Sequence, residues 1–325
     1  MVNLAVAGGT GNVATEILRS IIASNLHTIT ILTRKPISPP HANPALTYKV
    51  IDYNDVPSLV TVLTGFEVVL SFLVSQDQSG LRVQKNLIDA CVQAGVKRFA
   101  PSEWGVKNGS GIPPYKPKDD IAEYLKELNK DKKVLEYTLV QPSLFLDYFA
   151  HPHPLPPSTS LHTWPFFIDF SSRHAIILDS GDQPIILTAI SDISSIITLA
   201  LSDPRPWPPV GGIRGTQTSI NELIALGKKL RGGRWTIEYV NSEDLDATEG
   251  EGLGERLKTT WVPRMSHPII PEGKREAYSR VFVTMFLQGI ARGAWDVSGE
   301  WNERFPEYNF WSAEEYLTRA WEGKP

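Results

Sequence analysis

The chain has a single cysteine, Cys91, among its 325 residues. An intramolecular disulfide is therefore excluded, as is any paired CxxC metal site, and a lone thiol fits a reducing, cytoplasmic compartment. Positive charge is not in excess. Thirty-two Lys and Arg against 36 Asp and Glu leave a formal net charge of -4, which supplies no general field for nucleic acid or an anionic membrane. Long apolar runs are missing too: the strongest, Val68 to Val74, is far shorter than the ~20 residues that span a bilayer. The opening stretch Met1 to Ala7 lacks the basic region and long apolar core of a secretory leader. No Gly-x-Ser-x-Gly is present, which argues against a hydrolase nucleophile elbow. The expected partner is a small molecule, with no nucleic acid and no membrane; oligomeric state leaves no signal.

What is present is an ordinary globular composition, 42% hydrophobic and 21% charged, on a chain long enough for one large domain or two modest ones. Short β-branched runs recur at Leu4 to Ala7, Thr28 to Thr33, Tyr48 to Ile51, Val68 to Leu73, Arg98 to Ala100 and Tyr137 to Gln141. Between them, Val13, Ile17, Leu18, Ile21 and later Leu81, Leu87, Ile88, Cys91, Val92 recur at helical spacing. Such alternation predicts an α/β protein with a doubly wound parallel sheet of the Rossmann type over residues 1–150.

Beyond Pro142 the rhythm breaks at proline-rich stretches, His151 to Pro157 and Asp203 to Pro209, which read as loops. Helices are expected at Ser191 to Leu201, Ser219 to Leu230, Lys274 to Gly289 and Ser312 to Trp321, with a strand at Trp235 to Val240. This predicts a smaller α+β substrate-binding region over 151–325, with segments returning to pack on the sheet.

The sharpest motif is Gly9-Thr10-Gly11-Asn12-Val13-Ala14, a GxGxxA directly after the first strand, with Gly8 as a further small residue at the turn. Glycines there let backbone approach a pyrophosphate, and the helix starting near Asn12 offers free N–H groups and a positive dipole end. A glycine turn that merely joins strand to helix is the bland alternative. At the end of the second strand, where an acidic residue takes the ribose hydroxyls of NAD, the chain has Thr33-Arg34-Lys35. Arg34 presents a planar fork of donors to a 2′-phosphate and Lys35 adds a point charge, so NADP(H) is favoured over NAD. The competing reading is a pair of solvated loop cations.

Together with Leu32-Thr33-Arg34, Lys97-Arg98-Phe99-Ala100-Pro101-Ser102-Glu103-Trp104-Gly105 and Tyr137-Thr138-Leu139-Val140-Gln141-Pro142, the glycine block resembles the NmrA-like and isoflavone-reductase-like proteins. These form an atypical short-chain dehydrogenase/reductase group, and fungal members of secondary metabolism are nearest. The resemblance is clear over the first 150 residues. It implies that Lys118, opening the helix after the Pro-Ser-Glu loop, holds the nicotinamide ribose and polarises or protonates a substrate oxygen or nitrogen. A solvated Lys118, or Lys116 in its place, is the alternative. It also places nicotinamide-contacting backbone at Pro142 and Ser143, the latter where relatives often carry glycine or asparagine.

Tyr115 stands three residues before Lys118, not four as in the usual Tyr-x-x-x-Lys pair, and Pro117 breaks a continuous helix between them. A tyrosine–lysine relay is therefore not expected, and Tyr115 instead lines the substrate entrance. Ser102 and Glu103 fall at the C-terminal end of the fifth strand, where open α/β sheets bind ligands. Glu103 reads equally as an acid or base and as a carboxylate capping loop N–H groups. His151-x-His153 is discounted as a metal site, since prolines flank it and no acidic cluster is near. The six tryptophans after residue 230 read as core, with one or two free to meet a flat substrate.

Three functions compete on these residues. The first is an NADPH-dependent reductase of a small aromatic or heterocyclic metabolite. The second is a non-redox cyclase or isomerase with NADP bound structurally. The third is an NADP-sensing regulatory protein.

Overall fold

The computed structural model describes residues 1–37, 43, 45–74, 78–155, 160–246, 252–268 and 270–324. Its first half alternates β1 (Asn3–Ala7), α1 (Asn12–Ser24), β2 (Thr28–Thr33), β3 (Thr47–Val50), α2 (Val56–Leu63), β4 (Val68–Ser71), α3 (Gln78–Ala94), β5 (Arg98–Ala100), α4 (Lys116–Leu128) and β6 (Glu136–Tyr137). These strands form one parallel sheet in the order β3-β2-β1-β4-β5-β6. Side chains alternate across it, as strand geometry requires. Leu4 and Val6 of β1 pack with Ile17, Leu18 and Ile21 of α1 on one face. Ala5 and Ala7 pack with Leu59, Leu87, Ile88 and Ile121 from α2, α3 and α4 on the other.

The remaining elements are β7 (Leu139–Gln141), β8 (Leu144–Phe145), β9 (Ile168–Asp169), β10 (His174–Leu178), β11 (Ile185–Thr188), α5 (Ile190–Ser202), β12 (Val210–Gly212), β13 (Thr216–Thr218), α6 (Ile220–Arg231), β14 (Thr236–Val240), α7 (Ser242–Leu245), α8 (Arg275–Ala291), α9 (Glu300–Arg304) and α10 (Ala313–Trp321). The expected single strand over Tyr137 to Gln141 is two pieces. Glu136 and Tyr137 pair with β5, whereas β7 turns away to pair with β12.

Segments beyond residue 150 return to pack with the first layer, among them α5, which packs on α1, and Leu161, Trp207 and, from α9, Trp301, which share its core. Ile193, Ile196 and Ile197 of α5 are buried there, and Ser194 Oγ accepts from Ser20 N–H while donating to the Ile17 carbonyl. Three buried isoleucines are worth about 1.5–3 kcal/mol each, enough to bind α5 to the sheet layer. The other core joins α6, α8 and α10 to β10 and β11. The loop from Asp203 is held by Arg98, whose guanidinium donates to the carbonyls of Asp203, Pro204 and Arg205. Pro156 and Pro157 of the first proline run lie outside the described residues. No helix among the described residues is long and apolar enough to cross a membrane.

Candidate active site

Two adjoining hollows lie at the C-terminal ends of the parallel strands. The first, about 950 Å³, is bordered by Gly8, Thr10, Gly11, Arg34, Lys35, Asp52, Tyr53 and Phe72. Gly8 has φ 71°, and a Cβ on it would lie 2.9 Å from the carbonyl carbon and oxygen of Phe72, so only glycine fits. Gly11 caps α1 without any side-chain hydrogen bond. The first-turn N–H groups, at Asn12 and Val13, therefore have no intrahelical acceptor. Arg34 and Lys35 are exposed just past β2 and form no ion pair among the described residues, so both remain available for a phosphate. The Tyr53 hydroxyl donates to the Leu32 carbonyl, which fixes one wall.

The loop after β5 is pinned to the end of β4. Trp104 takes φ 44°, its indole N–H donates to the Ser71 carbonyl at 2.7 Å, and its ring stacks on Phe72 at 4.4 Å. Phe72 lines the first hollow and Trp104 the second, so this stacked pair is where the two meet. Ser102 is half-buried in the same loop. Pro142 is buried, and Ser143 follows it at φ 62° with its N–H on the Gly105 carbonyl at 3.0 Å. That left-handed conformation is the physical reason glycine or asparagine suits the position; here serine adopts it.

The second hollow, about 370 Å³, is largely aromatic. Trp104, Tyr115, Phe145, Tyr148, Trp164, Phe166, Phe282, Phe286 and Trp295 line it, with Gly105, Ser143, Met265, His267, Ile270 and Tyr278. No carboxylate, lysine or arginine is among its described walls. Its rings hold one another: Tyr148 meets Phe166 edge-on at 4.5 Å, and Phe286 stacks on Trp295 at 4.8 Å.

Lys118 and Glu103 sit behind Tyr115. Lys118 lies in the first turn of α4, part-buried; its ammonium donates to the Glu103 carbonyl and lies 4.9 Å from the Tyr115 ring centroid. Burial lowers its proton affinity, opposed by the Glu103 charge. Glu103 is 2% exposed; burial pushes its carboxyl up to about 7, against the pull of Lys118 and a hydrogen bond from Asn108. Its Oε2 accepts from Asn108 Nδ2 at 3.3 Å, and Oε1 is buried without a partner. The loop N–H of Gly109 goes to Asp119 instead, at 2.9 Å, so loop capping falls to Asp119. Lys116 points elsewhere, pairing with Asp120. Tyr115 ends a short 3-10 turn, Pro113–Tyr115, just before α4, as Pro117 implied; it offers Lys118 its ring face.

The residues singled out in the sequence thus fall into two groups. The glycine turn, Arg34 and Lys35 border the first hollow; Tyr115 and Ser143 border the second, with Glu103 and Lys118 packed against Tyr115. Asn108, Asp119 and Gln141 were missed, being polar residues in a turn, a helix start and a strand end with no pattern of their own. The stripe Tyr278, Phe282, Phe286, spaced i, i+4, i+8 on α8, carried a legible signal. Of the late tryptophans only Trp295 reaches the cavity, while Trp301 is fully buried. His151 pairs with Thr163 and His153 abuts the Trp321 ring.

The family model for NmrA-like proteins matches residues 2–260. The chain belongs to the NmrA-like family. Over nearly its full length this NmrA-like protein is similar to Oxidoreductase swnN of Metarhizium robertsii, 26% identical over 346 residues, which cover 99% of this chain and 98% of the relative. Oxidoreductase BOA1 of Botryotinia fuckeliana is 32% identical over 239 residues, 72% of this chain and 78% of that one. On these likenesses the NmrA-like chain is an oxidoreductase-type enzyme. The solved structure of AtPrR2 with NADP+ and (+)pinoresinol shares its fold, with TM-score 0.68 at 18% identity and 98% of each chain covered.

Proposed function

We propose that this protein is an NADPH-dependent reductase of a small, flat aromatic or heterocyclic metabolite. The observation that carries the reading is the Phe72–Trp104 stack, with a phosphate-binding glycine turn on one side and an aromatic cavity on the other. A ligand seated on Gly8 to Val13 and extended past Phe72 arrives beside Gly105 and Ser143, at the edge of that cavity. NADP(H) fits the chain's own features. The turn at Gly8 has no room for a Cβ, the N-terminus of α1 has no side-chain cap, and Arg34, which forms no ion pair among the described residues, offers its guanidinium to the 2′-phosphate. The solved AtPrR2 carries NADP+ in the same fold. Residues 151–325, apart from α5, β12 and α9, act as the substrate side.

When bound, NADPH supplies the hydride. The protein's own groups do the rest. The aromatic walls orient a flat substrate and exclude water, and Lys118, set 4.9 Å behind the ring of the cavity-lining Tyr115 and not in the wall itself, holds a proton at Nζ for the substrate oxygen or nitrogen that gains charge in the reduction. Tyr115 supports Lys118 by its ring face.

The test is NADPH consumption in the presence of a panel of aromatic and heterocyclic carbonyl and imine compounds, with product identified by mass spectrometry. Stoichiometric oxidation of NADPH supports the reading. One observation favours a second: a buried acid raised to about 7 beside a lysine lowered by burial is a matched pair for proton transfer near neutral pH. Turnover that needs the dinucleotide but leaves its redox state unchanged selects a non-redox cyclase or isomerase.

A further inference from the structure

The Lys118 ammonium has a carboxylate close by yet forms no ion pair among the described residues. It is held instead by a neutral carbonyl, that of Glu103, and by the face of Tyr115. The geometry around Asn108 accounts for this. Asn108 Oδ1 accepts from Gln141 Nε2 at 2.6 Å, which turns its Nδ2 toward two carboxylates: Glu103 Oε2 at 3.3 Å and Asp119 Oδ1 at 3.2 Å. Asp119 is also tied to the loop by the Gly109 N–H. A single amide thus bridges the loop after β5 and the first turn of α4, on which Lys118 stands.

We infer that Asn108, oriented by Gln141, is a positioning residue that holds the Glu103 carboxylate off the Lys118 ammonium, keeping the Lys118 proton available to the substrate. The inference rests on the reading of Lys118 as the group that serves the substrate. Among the described residues Asn108 supplies the sole hydrogen bond on Glu103's carboxylate, since Oε1 has none. Released from Asn108, the carboxylate turns to the nearest cation. Among the described residues the charged and titratable groups facing Lys118 are Glu103 from the β5 loop and Tyr115 from the turn before α4, while Asp119 of α4 acts on Glu103 and Asn108. Of these, the Glu103 charge is the one that raises the proton affinity of Lys118. A direct pair would hold Lys118 protonated to higher pH, because an opposite charge in contact favours the charged form.

Trace acetylation with acetic anhydride across pH, read at each lysine by peptide mass spectrometry, measures the titration of Lys118 without substrate or cofactor. In the wild type Lys118 is expected to titrate below the exposed lysines of α4. In Asn108→Ala its midpoint should rise by about one pH unit or more, and in Asn108→Ala/Glu103→Gln it should return to the wild-type value or below. A midpoint unchanged in Asn108→Ala overturns the inference, as does a wild-type Lys118 that titrates with the exposed lysines. A rise that the double variant fails to reverse also overturns it, since that marks a loosened, wetter site. Loss of NADP binding in a separate calorimetric titration would sink the reductase reading while leaving this result standing.

Discussion

The hydroxyl of Ser143 donates to the carbonyl of Trp295 at 2.7 Å, a bond that spans 152 positions of the chain. It ties the loop after β7 to the residues that follow α8, and both partners line the aromatic cavity. Ser143 makes this bond from φ 62°, a conformation that costs an L residue roughly 1–2 kcal/mol. Two substitutions separate the terms. Ser143→Ala keeps the strain and loses a buried hydrogen bond, so it should destabilise by about 1–2 kcal/mol. Ser143→Gly loses the same bond but relieves the backbone, and should be the more stable of the two by about 1 kcal/mol. Urea denaturation gives both values, and the reverse ranking would refute the account.

Arg34→Ala should weaken NADP binding by roughly 10- to 100-fold, the scale of a lost charge-assisted pair of hydrogen bonds. NAD, lacking the phosphate, should bind the variant and the wild type alike. Calorimetric titration with both dinucleotides checks this. Equal losses for NADP and NAD would mean that Arg34 shapes the loop and does not read the phosphate.

The first layer was legible because its signals are local. The glycine turn after β1, the β-branched runs and the helical spacing of Ile17, Leu18 and Ile21 each sit within one element. The late helices were legible for the same reason: Ser219 caps α6 by accepting the Glu222 N–H, and Ser312 caps α10 by accepting that of Glu315. The cavity was not, because its walls come from loops after β5 and β7, from residues 164–166 and from α8, and nothing local says that these meet. The split of the sixth strand was hidden likewise. Leu139 to Gln141 is β-forming in either sheet, and only the distant Val210 to Gly212 decides its partner. Asn108 and Gln141 acquire their role solely through each other.

Three buried carboxyls should contribute stability that falls as pH rises from about 4 to 7, against the opposite contribution, near the top of that window, of His27, His151, His153 and His267, whose proton affinities burial lowers. Burial raises the Asp147 and Asp192 carboxyls from 3.8 to about 6, and that of Glu103 from 4.5 to about 7. An acid whose folded value is raised binds its proton more tightly in the folded state. Its contribution is therefore complete below the unfolded value and lost as pH climbs through the folded one. A shift of two units is about 3 kcal/mol, an upper scale for each group. Asp192→Asn should flatten part of the slope. An amide can accept the Trp311 N–H and donate to the Tyr308 oxygen, replacing both bonds of the carboxylate. Denaturation midpoints of wild type and Asp192→Asn measured between pH 4.5 and 8 decide it; a difference between the two that does not change with pH would contradict the argument.

Tyr115 allows the sharpest separation of two chemistries at Lys118. If its phenol relayed a proton, Tyr115→Phe would lose the relay, and a positioned acid or base is worth 10²–10⁴-fold in rate. Three features argue against a relay. Burial, with the nearby Glu103 charge, raises the phenol to about 12. Pro117 sets the start of α4 after Tyr115 rather than before it. The ammonium also lies over the ring, 4.9 Å from its centroid. A ring face acts through its π-electrons, which phenylalanine retains, and such a contact contributes about 0.5–2 kcal/mol. Tyr115→Phe should therefore keep kcat within about 5-fold of wild type, whereas Tyr115→Leu, which removes the ring, should lose about 2- to 30-fold. The cavity wall is altered by both, so KM is expected to move in each variant and kcat is the quantity to compare. A Phe variant as inactive as Lys118→Ala would restore the relay and make the hydroxyl, not the ring, the partner of the lysine.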